Sequence, residues 1–319
     1  MNLAPPLVAA AHGSKDPRAA ATIADLLSVV RARASQPDFD ARLAFLDHCV
    51  PSLPRVLSAL AGGGPGRVGG ADGVGGVRNA GRTDVVLVPL LLTAAYHSKT
   101  DIPAQVAAAS SRLPGLRVHQ ANTLGPHPLL LSALERRLAE AHAKPASRAE
   151  TSVVLAAAGS SDPAANATIA TLAARWEAAG GWRRVMPAFA SASGPTPADA
   201  VRTLRQASGG GPVVVASYVL APGYFADKIR IQACQAGATA VSAPLGPAQE
   251  VAEVILERYL SAIPIAVLAR NQTDSDDPLV WPDAQWPHTV TRRPLLGKDD
   301  QETGRQAVRA REDANTLAR

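Results

Sequence analysis

Aromatic residues are scarce in this chain: Phe, Tyr and Trp supply 4% of it, although apolar residues overall supply 47%. The interior must therefore be built from Ala, Val and Leu, which suit close packing of helices on a sheet. The same scarcity argues against a nucleic-acid binder, which would stack bases on aromatic rings, and the Lys and Arg residues are scattered. Only two cysteines occur, Cys49 and Cys234, too few for a disulfide framework or a zinc cage. The longest apolar run, Val85–Ala95, is eleven residues, well short of the roughly 20 that span a bilayer. The opening MNLAPPLVAAAHG has no basic n-region and already reads as a strand, so no signal peptide is expected. The chain reads as soluble and cytoplasmic.

Charge is present in modest excess. Thirty-two Lys and Arg stand against 27 Asp and Glu, a formal +5, which favours an anionic partner such as a polycarboxylate small molecule, or reflects a genome's compositional bias. At 319 residues the chain has room for two domains of ordinary size.

A repeat organises those two domains. Leu7–Pro17, LVAAAHGSKDP, returns 146 residues later as Val153–Pro163, VVLAAAGSSDP, with His12 replaced by Ala158. Val85–His97, VVLVPLLLTAAYH, matches Val213–Phe225, VVVASYVLAPGYF, with His97 replaced by Phe225. LGPHP at Leu124–Pro128 and LGPAQ at Leu245–Gln249 close the two units. One half has lost both imidazoles, which suggests a single working site built by the first half.

Each unit opens with a short continuous apolar run, a pattern that suits a strand covered on both faces. Small residues follow, then Asp16-Pro17 or Asp162-Pro163, an N-cap and a first-turn proline. The pattern predicts strands over Ala41–Leu46, Val85–Leu92 and Arg117–Ala121, and helices over Val50–Leu60, from Asp101 through Ser111, and over Leu129–Ala143. The second half predicts strands over Val185–Ala190, Val213–Leu220 and Ala238–Ala243 and a closing helix from Pro247 to Leu260. Alternating strand and helix implies an α/β fold of two similar domains, each a mainly parallel sheet flanked by helices. The domains expected are 1–146, 147–263 as a degenerate repeat, and a disordered tail over 264–319; Arg305–Leu317 has a short helical pattern. Residues 61–82 read as a flexible glycine-rich insertion. Gly64–Gly69 within it satisfies G-x-G-x-x-G, but no strand precedes it and no helix follows, so a nucleotide site there is disfavoured.

His12 and His97 both fall at the carboxyl ends of predicted strands, the edge where ligands bind in open α/β sheets. Either histidine alone is better explained as an inert turn or loop residue. Their joint loss from the second copy favours a role in chemistry, as metal ligands or proton carriers. Asp47 closes the second strand; it either caps the next helix or adds a carboxylate suited to Fe²⁺ or Co²⁺ or to accepting a proton. Gly13 clears space beside His12, and the Ser14 hydroxyl and neighbouring N–H groups face a helix start able to hold an anion. Lys15, Arg18 and Lys99 are the basic residues nearest these motifs.

AHGSKDP at Ala11–Pro17, AFLD and PSLP within Ala44–Pro54, and VVLVPLLLTAAYHSKTDIP at Val85–Pro103 together resemble the class II chelatases, of the CbiX type. The resemblance runs over Leu7–Leu260, apart from the insertion. It implies a sirohydrochlorin chelatase that inserts Co²⁺ or Fe²⁺ without ATP or any cofactor beyond the substrate metal. It implies His12 and His97 as the metal-binding, catalytic histidines. Asp47 stands where many relatives carry glutamate, one methylene longer. The expected partners are sirohydrochlorin, whose eight carboxylates call for a basic rim at Gly13, Ser14, Lys15, Arg18 and Lys99, and a divalent ion, with no nucleic acid or membrane. A monomer is expected, since one chain carries both halves. The alternative is a carrier that holds a tetrapyrrole or a metal without turnover.

Overall fold

The computed structural model describes residues 4–34, 36, 38–62, 83–141 and 147–264. The dinucleotide-like string, all but the first two residues of the glycine-rich insertion, and the tail from 265 with its Arg305–Leu317 pattern lie outside the described residues.

In the first half β1 (Leu7–Ala11), α1 (Pro17–Arg33), β2 (Ala41–Phe45), α2 (Leu53–Ala61), β3 (Thr83–Pro89), α3 (Ile102–Arg112), β4 (Leu116–Gln120) and α4 (Pro128–Ala141) follow one another. The second half repeats them as β5 (Ser152–Ala157), α5 (Pro163–Gly180), β6 (Arg184–Phe189), α6 (Pro197–Ala207), β7 (Val213–Tyr218), α7 (Tyr224–Gln235), β8 (Ala240–Val241) and α8 (Gln249–Ala262). The two four-stranded sheets have the same order, β2-β1-β3-β4 and β6-β5-β7-β8, and every pairing is parallel.

The capping logic read from the sequence holds in both copies. The Asp16 carboxylate accepts from Arg18 N–H and the Asp162 carboxylate from Ala164 N–H, each at 2.9 Å, with proline in the first turn. One prediction starts too late. The segment expected to be helical from Asp101 is already wound from His97: a π-turn, His97–Asp101, runs straight into α3. Ile102 N–H reaches back to His97 O, five residues away. Pro103 explains the widening, since it has no N–H to donate and its ring crowds the carbonyl one turn earlier.

Side chains alternate across each strand. Leu7, Ala9 and Ala11 enter one core with Val153, Leu155 and Ala157, whereas Val8 and Ala10 pack under α2 and α3. The shared core also takes side chains from α1, α4, α5 and α8, so it lies between the sheets, and each sheet has a second, private core on its outer face. The two halves exchange their closing helices. α4, from the first half, packs on β7 and β8, while α8, from the second, packs on α1, α4 and β3. Tyr259 O–H donates to Pro5 O at 2.7 Å, and Arg136 forks onto Glu250 at 2.9 and 3.0 Å. α8 buries Val251, Val254, Ile255 and Tyr259 completely or nearly so. At about 1.5–3 kcal/mol per buried side chain, that is comparable with the roughly 5–15 kcal/mol net stability of a whole protein. The halves are thus one folding unit with two sheets, although composition alone allowed each its own separate core.

Candidate active site

The site forms where the carboxyl ends of β1, β3, β5 and β7 face a common cavity of about 870 Å³, near the upper end for small-molecule pockets. The first half contributes His12, Gly13, Ser14 and Lys15; the second closes the cavity with Ala158, Gly159, Tyr224 and Phe225.

His12 is the first residue beyond β1. Gly13 has φ +93°, and a Cβ there would stand 1.9 Å from Asp47 O. Only glycine lets the two loops touch. Asp47 N–H then donates to His12 O at 2.9 Å, and Cys49 Sγ lies 3.1 Å from Ser14 O. His12 is therefore set in a loop pair with little freedom.

The π-turn brings in the second imidazole. The His97 and His12 ring centres lie 4.3 Å apart, edge to face. His97 Nδ1 is 3.1 Å from Asp101 Oδ2, and Gln105 donates to the other Asp101 oxygen at 3.0 Å. Burial pushes the Asp101 carboxyl up, but the hydrogen bonds from Gln105 and His97, with the charges of His97 and His12, outweigh it and hold the group below its ordinary value. An ionised Asp101 fixes the His97 proton on Nδ1 and leaves the Nε2 lone pair free. His12 Nδ1 lies 3.2 Å from Gly13 O, which favours the same tautomer there. Both rings thus offer Nε2 as a donor.

Asp47, the third expected member, stands apart. Its side chain is 65% exposed, and its carboxylate accepts from His48 N–H at 2.7 Å and lies 3.5 Å from His48 Nε2. Among the described residues its carboxylate makes no polar contact with the rings of His12 or His97. Gly13 and Ser14 line the cavity, with Ser14 Oγ accepting from Asp16 N–H at 3.1 Å. Lys15 lines it and makes no ion pair among the described residues.

Arg18 and Lys99 are engaged across the two halves. Arg18 pairs with Asp16 at 2.5 Å and with Asp227 at 2.6 Å; Lys99 pairs with Asp162 at 2.9 Å. The two pairings are related by the repeat. Asp16 and Asp162 are equivalent caps, and Lys99 and Asp227 each follow two residues after the aligned His97 and Phe225. Hydrogen bonds from Arg18 lower the Asp16 carboxyl, and those from Lys99 lower that of Asp162.

Two residues at the site were not foreseen. His48 lines the cavity with its ring centre 6.2 Å from that of His12. Asp101 backs His97; the i, i+4 spacing in HSKTD was its available signal once the segment is read as helical. Exposed Tyr96 and Tyr224, again repeat equivalents, flank His97 and Phe225 with ring centres 5.6 and 5.3 Å away. Tyr218 reaches across from β7 and donates its hydroxyl to Leu92 O at 3.3 Å; burial raises its pKa, so it stays protonated. Among the described residues no helix is long and apolar enough to cross a membrane.

The chain is similar to known proteins. A sirohydrochlorin ferrochelatase of Bacillus subtilis (strain 168) is 26% identical over 218 residues, spanning 68% of this chain and 75% of that one. A sirohydrochlorin cobaltochelatase of Priestia megaterium is 36% identical over 90 residues, 28% of this chain and 29% of its own length. The structure of SirB from Bacillus subtilis with Fe³⁺ superposes with a TM-score of 0.66 at 23% identity, covering 86% of this chain and 99% of that one, and so shares the fold. The CbiX family model matches residues 6–69, 71–141 and 152–262. Since that match runs through both halves and most of the length, the chain belongs to the CbiX family.

Proposed function

We propose that this protein is a sirohydrochlorin chelatase, inserting Co²⁺ or Fe²⁺ into the tetrapyrrole without ATP. The observation that carries the reading is the edge-to-face contact of His97 with His12, which itself lines a cavity roomy enough for a flat ligand. In the reaction the divalent ion enters and two pyrrole N–H protons leave, so charge balances and no redox step is needed. His12 and His97 receive the ion through Nε2, and Asp101 keeps the His97 ring oriented. A neutral imidazole freed as the ion departs accepts a pyrrole proton and passes it to solvent. A closed four-ligand cage would retain the ion. Among the described residues no three His, Cys, Asp or Glu side chains form a ready cage, which supports temporary ligation.

The second half supplies the opposite wall. Phe225 and Tyr224 offer an apolar face against which the macrocycle lies, so that binding energy on one side presents the pyrrole nitrogens to the imidazoles on the other. Gly13, Ser14 and Lys15 meet the substrate's carboxylates first. Arg18 and Lys99 join them only by exchanging Asp227 and Asp162 for substrate. The metal ion is the only other reactant, and one chain contains the whole cleft. The test is spectrophotometric: purified protein with sirohydrochlorin and excess Co²⁺ or Fe²⁺ should metallate many equivalents. A reaction stopping at one equivalent identifies a carrier, and none at all rejects the reading.

A further inference from the structure

We propose that Ala20 is a specificity-determining residue of the cleft, and that Cys49 is the positioning residue that allows it to be one. The Cys49 thiol supports the Ser14 turn from the core side, a task that the second half gives to an amide inside the cavity. The proposal deepens the chelatase reading and rests on it for the identity of the ligand.

The repeat sets the comparison. α1 faces the cavity through Ala19, Ala20 and Ile23, and α5 through their equivalents Ala165, Asn166 and Ile169. Two of the three pairs are identical. At the third, a methyl group on one wall corresponds to an amide on the other. The helix starts do not demand this difference, because they are built alike. Ser14 Oγ accepts from Asp16 N–H at 3.1 Å and Ser160 Oγ from Asp162 N–H at 3.0 Å.

The amide has a defined task. Ser160 N–H donates to Asn166 Oδ1 at 3.0 Å, and Asn166 Nδ2 donates to Ser160 O at 2.7 Å. One side chain thereby satisfies both backbone polar groups of Ser160. Ser14 needs the same support, and Ala20 has no polar atom to supply it. There Ser14 N–H donates to Cys49 Sγ at 3.4 Å, and the Cys49 thiol donates to Ser14 O at 3.1 Å. The same two groups are met from a different element: Cys49 lies in the loop after β2, half-buried against the shared core. Its twin is Ser193, since Cys49 N–H donates to Asp47 O and Ser193 N–H to Ser191 O, each at 2.7 Å.

A thiol is a weaker donor and acceptor than an amide. The first half thus has the weaker brace, and what it gains is space. An amide at position 20, bonded to Ser14 as Asn166 is to Ser160, would occupy the cavity beside the turn that carries His12. With Ala20 that wall is bare and apolar, so a flat macrocycle can lie against it and approach the imidazole. The half without imidazoles has no such need, and there the amide is in place.

The experiment moves the brace back. Full-chain wild type, Cys49→Ala, Ala20→Asn and the double variant are compared, with Cys49→Ser, which copies Ser193, as the conservative replacement. Two readouts need no turnover: hydrogen exchange of the Ser14 amide by NMR, and the Kd of metal-free sirohydrochlorin by absorbance. Cys49→Ala should speed Ser14 exchange about tenfold. It should also lower kcat with Co²⁺ about tenfold, because the His12 turn is less firmly placed. Cys49→Ser should recover most of both. Ala20→Asn should raise Kd about tenfold by filling the ligand's space, with a smaller change in kcat. The double variant should recover slow exchange and kcat yet keep the raised Kd. An unchanged Kd in Ala20→Asn would overturn the proposal. So would a double variant whose Ser14 amide exchanges as fast as in Cys49→Ala, or a wild type with no affinity for sirohydrochlorin. Exchange and Kd shifts as expected in a protein that never metallates sirohydrochlorin would uphold both residue roles in binding and reject the chelatase reading alone.

Discussion

The two halves share a backbone and differ in chemistry. Gly13 and Gly159 have φ +93° and +88°, and a Cβ on either would stand 1.9 or 2.0 Å from the carbonyl oxygen of Asp47 or Ser191. The aspartate caps, the strand order and the exposed tyrosines at 96 and 224 are likewise held in common. What differs sits on that frame: imidazoles at 12 and 97 on one side, a methyl and a phenyl group on the other. Lys99 faces Asp162, while its counterpart Asp227 faces Arg18, so the contact between halves is kept with its charge reversed. On the proposed reading the frame answers to folding and the rings to reaction, and the duplication lets the two demands be tested separately.

Replacing the imidazoles should produce the largest effect. His12→Ala or His97→Ala is expected to lower kcat by about 10²–10⁴-fold, with unfolding midpoints near wild type. Phe225→Ala, at the His97 position of the other half, should instead raise KM several-fold and leave kcat within about threefold. Equal kcat losses from both halves would break the division of labour. The frame is tested next. Gly13→Ala and Gly159→Ala should each destabilise by about 2 kcal/mol or more in urea unfolding, since both meet a carbonyl oxygen and a left-handed φ. A cost confined to Gly13 would show that the second loop is not under the same steric demand.

Asp101 gives a smaller effect. Asp101→Asn should lower kcat about 10–100-fold, as for other groups that orient a metal-binding imidazole. Its carboxyl is lower in the folded state than its ordinary value of 3.8. The stability it contributes is therefore full above about pH 4–5 and is lost as pH falls through the folded value. Acid unfolding of the variant should accordingly differ from wild type in shape below pH 4. The smallest effect is expected at the interhalf ion pairs. Asp162→Asn frees Lys99 for the substrate, and Asp227→Asn leaves Arg18 held by Asp16 alone, so KM should fall a few-fold at low salt, more for the first, and approach wild type as salt rises. An increase in KM would mean that these pairs hold the walls in place and do not compete with the ligand.

Much of this molecule was legible from the chain itself. Leu7–Pro17 and its copy announced strand, turn and capped helix because Asp-Pro and continuous apolar runs are local signals. The joint loss of His12 and His97 pointed to one site. His48 escaped because it lies in a bend with φ +60° that no periodicity encodes, and the loop pair Asp47–Val50 and Ser191–Gly194 shares too few letters to be aligned by eye. Asp101 escaped because Pro103 implied that the helix began there, whereas the π-turn starts at His97. Arg18 and Lys99 stood out in the chain only by lying beside the motifs; the acidic side chains they pair with across the halves lie 209 and 63 residues away, beyond any local reading. The exchange of closing helices was likewise invisible, since α4 and α8 are equally amphipathic whichever sheet they cover.

That exchange has an evolutionary consequence. Because each sheet is covered by the last helix of the other copy, the half without imidazoles cannot be deleted once its own chemistry has lapsed. It persists as an obligate scaffold, constrained where it completes its sibling's interior. Substitutions should therefore be tolerated far more readily on the exposed surface of that half than along the buried face of α8.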